Sequence, residues 1–121
     1  MGDKIALVII TKSTPYTPAE IEKTRECFDV YIKTVIDVKN KICSAGCDRH
    51  YESEKILLDQ GSSQDNIWGG GVDLETKIID FNSMINIRPT QGNPSNEIQD
   101  HDLRKKYEQL TRYFLPSIYG S

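Results

Sequence analysis

Tyr31-Ile-Lys-Thr-Val-Ile-Asp-Val-Lys-Asn-Lys-Ile-Cys-Ser-Ala45 decides the fold, because its side chains alternate at the period of an extended chain. Ile32, Thr34, Ile36 and Val38 fall on one side, and Lys33, Val35, Asp37 and Lys39 on the other. Lys39-Asn40-Lys41 offers a tight turn and Ile42 to Ala45 returns, so the stretch predicts a β-hairpin. Toward the N-terminus, Tyr16-Thr-Pro-Ala-Glu-Ile21 predicts a helix start. Thr17 is the cap, Pro18 takes the first helical position, Glu20 closes a capping box, and Tyr16 and Ile21 stand at the staple positions. That helix is expected to reach about Phe28 or Tyr31, with Ile21, Thr24 and Phe28 inward and Glu22, Lys23 and Glu26 outward. Before it, the β-branched run Lys4 to Ile10 reads as a strand covered on both faces.

Toward the C-terminus, a second helix is expected from about Asp48 or Arg49 to Gln60. Ile56, Leu57 and Leu58 would supply its buried part, and Gly61 suits the left-handed residue beyond its end. Ile67 to Leu74 and Lys77 to Phe81 read as a second pair of strands, the latter resuming as Met84 to Ile87 before Pro89 stops it. Thr90 to Asn96 is rich in turn residues, and Asp100 can cap a last helix carrying Leu103, Tyr107, Leu110 and Phe114 at helical spacing. The order strand, helix, hairpin, helix, hairpin, helix predicts an α+β layer sandwich. It would hold one mixed or mainly antiparallel sheet of about five strands, with about three helices packed on it.

The 121 residues suit a single domain spanning 1–121. A net charge of -3 does not indicate nucleic acid as a general partner, because phosphate-backbone affinity rests on clustered Lys and Arg. The longest apolar stretch, Ile5 to Ile10, is too short to cross a bilayer or to form a signal-peptide core, so no membrane partner is expected and a cytoplasmic location is. Cys27, Cys43 and Cys47 are too few and wrongly spaced for a zinc site, and read as reduced, partly buried thiols. A reactive Cys47 would need a lowered pKa, with Arg49 and His50 as the nearby cations. No metal or cofactor is expected. The glycines at 69 to 71 lack the Lys-Ser/Thr ending of a phosphate loop, and fit a bulge or the close approach of another backbone or a ligand.

Two groups of residues could carry chemistry. His50 and Glu54 share a helical face four residues apart. They either seat the helix through hydrogen bonds, or make His50 a general base or metal ligand oriented by Glu54, a metal site that His101 or Asp80 could complete though no spacing requires it. The segment Asn82 to Asn96 concentrates amides and hydroxyls around one Arg. On one reading, a strand presents Asn86 and Arg88 to an anion, joined by Gln91, Asn93 and Ser95, with Trp68 as a stacking surface. On the other, these side chains tie down their own loop.

The stretches Ser53 to Leu58, Gly61-Ser62, Asn66-Ile67-Trp68-Gly69, and Ser83 to Pro89 with Gly92-Asn93 together resemble a small uncharacterised prokaryotic domain-of-unknown-function family, DUF5674. That family shares a His followed four residues later by Glu, then Gly-Ser, Trp-Gly, Ile-Asn-Ile-Arg-Pro and Gly-Asn. The similarity spans roughly His50 to Arg104 and departs at Gly70 and Gly71, where side chains are more usual. It implies one domain, with His50, Glu54, Trp68, Arg88 and Asn93 as positions of interest, and names no reaction.

Three functions follow as expectations. The first is binding of a small anionic ligand, bearing phosphate or carboxylate, through the polar strand-loop unit. The second is a phosphoester hydrolase or nuclease with His50 as base and Arg88 steadying charge. The third is a protein-interaction module using the C-terminal cluster Tyr113, Phe114, Leu115, Ile118 and Tyr119, with a second copy of the chain among its candidate partners.

Overall fold

A computed structural model describes residues 8–25 and 30–119. Its strands are β1 (Ile10–Lys12), β2 (Tyr31–Asp37), β3 (Ile42–Ala45), β4 (Ile67–Asp73) and β5 (Ile79–Asp80), and its helices are α1 (Pro18–Thr24), α2 (His50–Asp59) and α3 (His101–Phe114). The strands form one antiparallel sheet in the order β1-β3-β2-β4-β5, so the α+β expectation holds. The hairpin is β2–β3, with Ile36 opposite Cys43 and Asp37 opposite Ile42.

The alternation in β2 sorts the residues between two cores. Ile32, Ile36 and Val38, with Trp68 and Val72 of β4, face a core filled by Tyr16, Ile21, Tyr107 and Phe114 from α1 and α3. Thr34 is on this face too, and its hydroxyl lies 2.7 Å from the Tyr107 hydroxyl. Val35 and Ile67 point the other way, onto Leu57 of α2. Burying Leu57 fully stabilises the fold by about 2–3 kcal/mol. Beside it, Ser44 of β3 donates to Ser53 of α2 at 2.7 Å, satisfying two buried hydroxyls.

The helix starts follow the sequence. Thr17 Oγ1 accepts from the Glu20 N–H at 3.1 Å and the Glu20 carboxylate accepts from the Thr17 N–H at 2.8 Å. Asp100 Oδ2 likewise accepts from the Leu103 N–H. Gly61 ends α2 with φ of 102°. Three expectations need correction. First, α1 stops at Thr24 because Arg25 is extended; Cys27 and Phe28 lie outside the described residues, as does most of the strand expected from Lys4. Second, Leu58 is exposed while Leu57 is buried, since only one of two adjacent helical positions can face the sheet. Third, Met84–Asn86 is a 3₁₀ turn and not a resumed strand. Ser83 Oγ caps it, accepting from the Ile85 N–H at 3.2 Å.

The glycine run is a packing device. A β-carbon at Gly70 would lie 2.4 Å from the Asp80 carbonyl and 2.9 Å from the Tyr107 ring, and one at Gly71 would lie 1.9 Å from the Tyr31 hydroxyl. The missing side chains are what let a backbone and two tyrosines close on β4.

Candidate functional site

The turn at Met84–Asn86 drives Asn86 inward, against the outer edge of β4. Strand β5 covers that edge only at Gly71 and Val72. At Gly69 the Asn86 side-chain amide replaces it, accepting from the Gly69 N–H and donating to the Gly69 carbonyl, each at 2.9 Å. This is the two-point pairing of a neighbouring strand made by a side chain. Asn86 Nδ2 also faces the Phe81 and Asn96 carbonyls at 3.1 Å. Further along the edge, the Arg88 guanidinium donates to the Ile67 carbonyl, to Gln64 O at 2.6 Å and to Ile85 O at 3.0 Å. It lies over the Trp68 ring, 4.3 Å from its centroid.

The loop beyond is closed in the same manner. Arg88 and Asn93 exchange backbone hydrogen bonds across Pro89–Gln91, with Gly92 left-handed at φ of 78°. Asn93 Nδ2 donates among the carbonyls of Asn86, Ser95 and Glu97, and its Oδ1 accepts from the Gln99 N–H. Gln91 donates to the Asp65 carbonyl, and Ser95 Oγ accepts from the Glu97 N–H. Asn86, Arg88 and Asn93 are all buried, and each donates to backbone carbonyls, with Arg88 Nη1 also facing Gln91 Oε1 at 3.4 Å. Burial lowers the Arg88 pKa, and the carboxylates of Glu54 and Asp65 partly offset it.

His50 lies at the start of α2, on the opposite side of the sheet from Tyr107. Its Nε2 is 2.8 Å from the Gly70 carbonyl, so that nitrogen carries the proton and donates. The Glu54 carboxylate accepts from Gln64 Nε2 at 3.5 Å. A hollow of about 260 Å³ beside the His50 ring is walled by Lys33, Arg49, Ser83 and Met84, the last 77% exposed. A separate hollow of about 420 Å³ takes in Trp68, Gln91 and Asn93 with Asp65, Asn66 and Asp100. His50 lines the hollow of about 260 Å³, and Arg88 lines neither that hollow nor the one of about 420 Å³.

Cys43 and Cys47 are buried and reduced. Burial pushes the Cys43 thiol up to about 12 and raises Cys47 as well, the reverse of what an activated thiolate requires. Among the described residues no group of three His, Cys, Asp or Glu is placed to hold a metal ion, and no helix is long and apolar enough to cross a membrane. Of the C-terminal cluster, Phe114 and Leu115 are fully buried, and Tyr119 packs on the same core and donates to the Lys77 carbonyl.

One further hollow was not anticipated from sequence. It measures about 750 Å³ and lies between the β2–β3 turn and α3, walled by Lys41, Lys105, Lys106, Asp102, Gln109 and Tyr113. The adjacent lysines of α3 and Lys41 in the turn are visible signals, but only the fold brings them together.

A small α+β protein with a polar side-chain seam along one sheet edge is what these features define. The chain belongs to the family described as protein of unknown function (DUF5674), whose family model matches residues 8–114. No curated protein and no solved structure matches the chain.

Proposed function

We propose that the protein binds a small anionic ligand bearing phosphate or carboxylate groups, and that it does so in the hollow between the β2–β3 turn and α3. The observation that carries this reading is the charge of the wall: Lys41, Lys105 and Lys106 against the single carboxylate of Asp102, on a chain whose net charge is -3. A local cationic concavity on an acidic protein attracts anions that the rest of the surface repels. Its volume falls in the ordinary range for small-molecule sites, and Leu110 and Tyr113 add an apolar wall for the body of a ligand. The polar loop at Asn86, Arg88 and Asn93 supports this placement indirectly, since its donors already have acceptors.

Calorimetric titration with inorganic pyrophosphate, citrate and a nucleotide tests the reading. Binding that weakens with salt and is lost in Lys105→Glu/Lys106→Glu is expected. Gln91→Ala, at the other hollow, should leave it unchanged. Affinity that survives the double charge reversal, or that Gln91→Ala abolishes, would move the ligand to the loop and refute the placement.

A further inference from the structure

The hollow of about 420 Å³ beside the polar loop has a chemistry unlike that of the lysine-lined one. Its charged lining groups are Asp65 and Asp100, and Asn66 and Gln91 line it as well. Two carboxylates repel an anion. Trp68 forms part of the same wall and is only 4% exposed. Its indole N–H meets no acceptor among the described residues. None of their sealed side-chain nitrogens or oxygens lacks a partner, so this N–H lies on the small accessible part of the ring. The Arg88 guanidinium packs on the ring and is itself anchored to the Gln64, Ile67 and Ile85 carbonyls. The donor is therefore fixed in direction.

A ligand that fits this lining must accept one hydrogen bond from the indole and donate to the carboxylates. An ammonium group has no lone pair for the N–H, and a phosphate has no proton to spare for two carboxylates. A hydroxyl group does both, and several on one carbon frame can serve the indole, the aspartates and the amides together. We propose that this hollow is a binding site for a neutral polyhydroxylated ligand, a sugar or polyol, with the Trp68 indole N–H, Asp65 and Asp100 as its principal contacts. The site is independent of the anion reading, because it shares no lining residue with the lysine-lined hollow.

Trp68 is the only tryptophan in the sequence, so a single indole N–H resonance reports on the site. The test titrates the ¹⁵N-labelled full chain with glucose, galactose, mannitol and myo-inositol, and with putrescine and inorganic phosphate as probes of the two charged classes. The indole cross-peak is expected to move saturably with at least one polyol and with neither charged probe. Asp65→Ala should weaken that binding about tenfold, the scale of one hydrogen bond to a charged group. Asp100→Ser should act likewise while still capping α3, the rest of each spectrum confirming that the variant is folded. An indole resonance unmoved by every polyol, one moved by putrescine or phosphate instead, or polyol affinity unchanged in both variants would each overturn the proposal.

Discussion

Asn86→Ala is the sharpest test of the claim that a side chain completes the sheet. The substitution removes the acceptor for the Gly69 N–H and the donor to the Gly69, Phe81 and Asn96 carbonyls. Two of those carbonyls keep a backbone partner, because Ile98 N donates to Phe81 O and Ser83 N donates to Asn96 O. Both polar groups of Gly69 lose their edge partner. Each of these two orphaned buried groups costs about 1–3 kcal/mol, and the remaining lost bonds add about 1 kcal/mol, so the expected loss is about 3–7 kcal/mol. With a urea slope of about 1.5 kcal/mol/M, the unfolding midpoint falls by roughly 2–5 M. Asn86→Asp should be at least as harmful at neutral pH. It turns the donor toward three carbonyls into a buried anion, and it should recover in part as acid protonates it. Exposed Asn82→Ala is the control and should stay within about 0.5 kcal/mol. A loss below about 1 kcal/mol in Asn86→Ala, or a wild-type midpoint in Asn86→Asp at pH 7, would show that the amide does not replace a strand; the free Asn86 of a ligand site would then be back in play.

Two further outcomes follow from buried titratable groups. Burial tends to raise the Asp37 pKa, but hydrogen bonds from Asn40, Ser62 and Lys39 outweigh it and hold the carboxyl below its ordinary value. The folded pKa being depressed, Asp37 stabilises the fold above its unfolded pKa, and that contribution is lost as pH falls through the folded one. Urea midpoints measured from pH 7 down to pH 2 should therefore fall less steeply for Asp37→Asn than for the native chain; parallel acid limbs would contradict the assignment. Cys43 and Cys47 should resist a thiol reagent in the native state at pH 8 and react once urea unfolds the chain, since both are buried with raised pKa values. Rapid native labelling of either would refute their place in the core.

Much of the fold was legible because its signals are local. The period of two in Tyr31 to Asp37 sorted Ile32 and Ile36 to one core and Val35 to the other, and the Thr17-Pro18-Glu20 box placed a helix start that the capping hydrogen bonds reproduce. Boundaries set by tertiary contacts were less so. Ile85 and Ile87 alternate like strand residues, yet Ser83 caps a 3₁₀ turn there and the edge they would have paired with is already filled by side chains. The site suffered most. The types in Asn82 to Asn96 announce hydrogen bonding, but composition cannot say whether the acceptors are a ligand or the chain's own carbonyls. Lys41 and Lys105 are far apart in sequence, so their shared hollow depends on how α3 lies across the hairpin.

Recognition needs polar groups that folding has not already used, and this criterion reorders the residues. Arg88 looks like the natural anion clamp, but its guanidinium already donates to three carbonyls while its face covers an indole, so a phosphate would compete with the edge of β4 for it. Its contribution to function is then indirect. It packs on the Trp68 ring, and with it steadies the indole donor that the proposed polyol site would use. The exposed lysines of α3, by contrast, hold no structural post beyond the helix itself, so their charge is available to a ligand. A loop rich in donors thus spends many of them on the scaffold, and the proposed anion site draws instead on plainer surface residues.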